Sequence, residues 1–113
     1  MENWKLVLHV PESGRFEVAL KVARNFIRAM TGGDFSVRVL VNAEGITILK
    51  RFKEVENLYR EAVKDGVTVY FCENAMRAFE VAPELVPENG KTVSAGIRAL
   101  VEWQNEGYRY VRA

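Results

Sequence analysis

The chain has 113 residues, 49% of them hydrophobic, with 16 Lys and Arg against 15 Asp and Glu. That length suits one folded unit with a real core and is short for two, so a single domain over 1–113 is expected. A formal net charge of +1 supplies no one-signed field to gather nucleic acid or an anionic membrane, and neither is expected as a partner.

Trp4 to Val10 (WKLVLHV) is a short, nearly continuous apolar run, the pattern of a strand covered on both faces. Pro11, Ser13 and Gly14 form a loop. Phe16, Leu20, Ala23, Ile27 and Met30 then recur at helical spacing until Thr31-Gly32-Gly33 stops the pattern. Phe35 to Val41 reads as a second strand, and Asn42 to Gly45 as a turn at its carboxyl end. The stretch ITILKRF fits a short helical or irregular element better than a strand extension. From Lys53 to Lys64 one apolar face (Val55, Leu58, Tyr59, Ala62) opposes a charged one, and Asp65-Gly66 ends the helix.

Val67 to Cys72 (VTVYFC) is a third buried strand, with Cys72 at its end. Asn74 is the expected N-cap of a helix over AMRAF. The proline-bearing segment VAPELVPENGKTV is a loop with a helical turn, leading to a short fourth strand at Lys91 to Val93. A helix over Ala95 to Asn105 and a last strand over Tyr108 to Val111 complete the chain. Strands alternating with helices imply an α/β fold: a three-layer α/β/α sandwich around a mainly parallel sheet of about five strands.

In parallel sheets ligands bind beyond the carboxyl ends of the strands, where His9, Asn42, Cys72 and Ser94 fall. Cys72, the only cysteine, cannot form an internal disulfide, and MENWKLVLHV lacks the pattern of a secretory signal, so a cytoplasmic location is expected. No apolar run approaches the length of a membrane span. A thiolate at the start of a helix is stabilised by the unpaired N–H groups there, and Arg77 would add positive potential while Glu73 would oppose it. The opposing reading makes Cys72 a small apolar residue in the core.

His9, the only histidine, could serve Cys72 as a base only if the first and third strands were neighbours. The loop PESGR matches no phosphate-binding fingerprint, one Cys and one His make no metal cluster, and no serine elbow is present, so no cofactor and no metal are expected. Trp4, Trp103, Tyr108 and Tyr110 put much ring surface near the two ends of the chain, either as an interface or as closure of the core.

The order of elements, the C-x-N-A-M stretch at Cys72, Asn74, Ala75 and Met76, and the Gly-Tyr-x-Tyr ending at Gly107, Tyr108 and Tyr110 resemble the DsrE/DsrF-like family over nearly the whole chain. The resemblance implies a three-layer domain assembling into trimers or hexamers, with a strand between the first and the third. It also implies that Cys72 carries a persulfide, exchanging sulfur with a small carrier protein. Sequence and resemblance together predict a homo-oligomeric sulfur carrier or sulfurtransferase. In it Cys72 is the acceptor, supported by Asn74, Arg77 and His9. A non-catalytic module that binds a small anion or a partner is the alternative.

Overall fold

Leu6, Leu8 and Val10 join one apolar cluster while Val7 joins another, so the first strand is buried on both sides. Its run of apolar residues is the consequence. A computed structural model describes residues 3–30 and 32–113. The elements are β1 (Asn3–Val10), α1 (Phe16–Ala29), β2 (Asp34–Val41), α2 (Glu56–Asp65), β3 (Val67–Cys72), α3 (Glu73–Ala78), β4 (Lys91–Val93), α4 (Gly96–Asn105) and β5 (Arg109–Arg112). ITILKRF lies inside a 3-10 stretch, Ala43–Glu54, that is kinked at Arg51; this stretch delays α2 to Glu56, three residues after the start expected for it.

Among the described residues five strands form one all-parallel sheet, in the order β4-β3-β2-β1-β5. The chain steps outward from β1 to β4 and then returns across the sheet to place β5 on the other side of β1. A step in one direction puts its connecting helix on one face, and the return step puts it on the other. Accordingly α1 and α2 share a cluster with Leu8, Val39, Val69 and Phe71, whereas Ala99, Leu100 and Trp103 of α4 bury against Val7 and Leu40. The α/β class and its layers follow.

Gly66, with φ of +112°, ends α2 in the left-handed conformation that its position after Asp65 suggested. The ring residues divide. Trp103 and Tyr108 are buried and close the α4 side, while Trp4 and Tyr110 are exposed. No helix among the described residues is long and apolar enough to cross a membrane.

Candidate functional site

β3 ends where the sheet's connections change faces. The helix after β3, α3, buries Ala75 and Met76 in the larger cluster, whereas the helix after the neighbouring β4 lies on the opposite face. Such a switch point leaves a crevice beyond the strand ends, with two helix N-termini opening onto it. Cys72 occupies it. Its sulfur accepts the Ala75 N–H of α3 at 3.4 Å and the Gly96 N–H of α4 at 3.3 Å. The residue is 5% exposed.

Cys72, not Asn74, is therefore the N-cap of α3. The helix begins two residues earlier than the AMRAF pattern indicates, so Asn74 lies within its first turn. There its carbonyl oxygen accepts from the Arg77 guanidinium, and its backbone N–H donates to the Ser94 carbonyl. Arg77 is thus engaged with Asn74 on the exposed side of α3. Glu73, the residue that would oppose a charged sulfur, has its carboxylate held by the Thr92 hydroxyl at 2.8 Å. A groove of about 220 Å³ starts beside Ser94 and runs along α4 to Trp103.

His9 does not pair with Cys72, because β2 lies between β1 and β3. Instead its ring bridges two other strands. Nε2 meets Asn42 Oδ1 at 2.7 Å and Nδ1 meets the Tyr110 hydroxyl at 2.6 Å. With Nε2 carrying the proton, His9 donates to Asn42 Oδ1 and accepts from the Tyr110 hydroxyl, so both ring nitrogens are paired. Val41 pairs with Phe71, so the residues that follow, Asn42 and Cys72, leave adjacent strands side by side. His9, Asn42 and Cys72 thus lie at the carboxyl ends of three adjacent strands, and Tyr110, which pairs with Val7 further down the sheet, reaches His9 with its hydroxyl.

Two glycines let backbone close around these strand ends. A Cβ at Gly45 would lie 2.3 Å from the Val10 carbonyl oxygen, and one at Gly96 would come within 3.0 Å of Leu40 and 3.2 Å of Asn42 Cβ. A side chain at Gly45 would force the backbone apart, while one at Gly96 would crowd the Leu40 and Asn42 side chains. The loop after β1 is fixed further by Glu44. Its carboxylate accepts from the Ser13 N–H and hydroxyl, each at 2.8 Å, and from Thr47 at 2.9 Å. The Ser13 bonds, the backbone one first, hold the Glu44 carboxyl below its ordinary value. Among the described residues no group of His, Cys, Asp and Glu is placed to hold a metal ion.

The sequence signals for these contacts were weak. Sulfur is a poor acceptor, so a cap rule that favours Asn passes over Cys72. Strand order is likewise invisible in periodicity, and the Asn42–His9–Tyr110 bridge depends on it.

The solved structure of MTH1491 from Methanobacterium thermoautotrophicum, a protein of unknown function, is 25% identical to this chain. It superposes with a TM-score of 0.86 over 97% of this chain and 99% of its own. BT1422 from Bacteroides thetaiotaomicron, also of unknown function, shares the fold at 17% identity and a TM-score of 0.72, over 96% and 94%. No curated protein matches the chain. The family model of the DsrE/DsrF-like family matches residues 6–113, the extent over which the sequence resembled it, and the chain belongs to that family.

Proposed function

We propose that the protein is a sulfur carrier or sulfurtransferase in which Cys72 accepts sulfane sulfur as a persulfide. The observation that carries this reading is the placement of the sulfur at the switch point, with N–H groups of two helices directed at it. Such donors hydrogen-bond sulfur directly and hold it in place for an attack or a transfer. Membership of the family supports the same reading.

In the transfer, the Cys72 thiolate attacks the outer sulfur of a donor persulfide. A new S–S bond forms at Cys72, the donor's S–S bond breaks, and the donor leaves as a thiolate with the bonding pair. The outer sulfur keeps its proton or yields it to water. No external oxidant and no cofactor enter. The donor or acceptor is a small sulfur-carrier protein, and the working form is a cytoplasmic homo-oligomer, a trimer or hexamer. The exposed apolar side chains of Ile97, Val101 and Tyr110 favour self-association.

A second reading keeps the fold as a non-catalytic module binding a small anion or a partner, and the burial of Cys72 favours it. The sulfur would then serve only to cap α3. Intact mass after exposure to inorganic polysulfide separates the two. A carrier gains sulfur at Cys72, and Cys72→Ser, which retains a capping oxygen, gains none. A native protein whose Cys72 neither gains sulfur nor reacts with a small alkylating reagent overturns the carrier reading.

A further inference from the structure

β5 begins beside Leu6, so among the described residues Asn3, Trp4 and Lys5 at the amino end of β1 have β2 on one side and no strand on the other. A cavity of about 570 Å³ occupies that space, and Trp4, Leu6, Phe26 and Arg109 line it. Side chains alternate along a strand, which assigns them to faces. Leu6 belongs to the cluster under α1 and α2; Trp4, two residues before it, and Arg109, its register partner, project from the same face. Phe26 of α1 packs against that cluster. Lys5 projects from the other face, where its ammonium donates to the Glu106 carbonyl at 2.9 Å. The hollow therefore has apolar walls and one cation of its own. Arg109 has no ion pair among the described residues, whereas Arg112 on the same strand pairs with Glu12 at 3.1 Å.

We infer that this hollow binds a small aryl carboxylate, with its rings against Trp4 and Phe26 and its carboxylate paired with Arg109. A planar guanidinium matches a carboxylate with two parallel N–H donors. It neutralises a single charge, which suits a carboxylate better than a phosphate dianion. Trp4 is 46% exposed, so a large indole face is left for a flat ligand to cover. The volume lies within the range of small-molecule sites, about 300–1,000 Å³. A protein surface would instead need about 800 Å² of contact on each partner, more than so confined a hollow offers. The site lies at the amino ends of the strands, opposite Cys72, and does not rest on the sulfur-carrier reading.

The test titrates the full chain with 2-naphthoate and with its neutral counterpart 2-naphthalenemethanol, followed by NMR at the Trp4 indole N–H. The carboxylate should bind wild type with a Kd of about 1 mM or below, and the alcohol about five- to tenfold more weakly. Arg109→Gln should weaken the carboxylate by about the same factor and leave the alcohol within about twofold. Trp4→Ala, read at the ligand's own resonances, should weaken both probes about fivefold, because both use the indole face. Both substitutions fall on exposed side chains. The comparison of the two probes on the wild type needs no variant.

Equal affinity of the two probes, or an Arg109→Gln variant that binds 2-naphthoate as wild type does, overturns the assignment of a carboxylate. An indole signal that 2-naphthoate does not move overturns the site. A signal that moves with protein concentration alone marks the hollow as a contact between copies of the chain, and the ligand reading then falls.

Discussion

The face of the sheet under α1 and α2 is a continuous apolar layer, with Leu8, Phe16, Leu20, Val39, Val69 and Phe71 wholly buried. The α4 face has a much smaller buried cluster, and several of its positions are polar, among them His9, Ser36, Arg38 and Asn42. Arg38 lies among the rings of Tyr70, Trp103 and Tyr108, with its guanidinium carbon 4.4 to 5.5 Å from their centroids. Cations held over aromatic faces and hydrogen-bonded amides replace aliphatic packing there. One face supplies stability, and that leaves the other able to carry polar groups at its strand ends.

The largest expected effect tests the first half of that contrast. Phe71→Ala removes a fully buried ring from the α1 and α2 side and should cost about 3–5 kcal/mol in denaturant unfolding. Leu100→Ala, on the α4 side, should cost about 2–3 kcal/mol, because a thinner layer can relax into the space. Equal losses would erase the distinction between the faces. Gly45→Ala, whose added carbon would run into the Val10 carbonyl, should destabilise by about 1–3 kcal/mol although it removes no apolar contact.

Most of the fold was legible because the signals for elements are local. Strand-length apolar runs, helical spacing and Gly66 each act within a few residues, and the elements stand within about three residues of their expected bounds. The site was legible only as a set of strand-end residues. Cys72 was placed correctly at the end of β3, yet its partners, Ala75 and Gly96, contribute backbone N–H groups that have no sequence signature. Asn74 was read as the cap because its side chain is the better acceptor, but the chain entered the helix at Glu73 and left Asn74 to pair with Arg77. His9 was a candidate partner of Cys72 only on condition that β1 and β3 were neighbours, and the family resemblance already implied a strand between them. The intervening β2 substitutes Asn42, a residue whose sequence context is an ordinary turn.

A smaller effect is expected at Arg38. Arg38→Ala should cost about 1–2 kcal/mol by loss of both the stem and the cation over three rings. Arg38→Met keeps the stem and removes the charge, so it should recover about half of the loss. Full recovery would show that the α4 face is held by ordinary packing and would weaken the contrast drawn between the two faces.

The smallest effect concerns the clip that joins the segments after β1 and β2. Because the Ser13 bonds depress the folded-state value of the Glu44 carboxyl, folding favours its ionised form. The associated stability is fully present above the ordinary carboxylate value of 4.5 and is lost as pH falls from there through the lower, folded-state value. Glu44→Gln keeps the shape but cannot ionise, so its unfolding free energy should fall less steeply with acid below 4.5 than that of the wild type. The difference between the two proteins should therefore shrink as pH drops. Parallel acid profiles would remove Glu44 as the group that holds the loop.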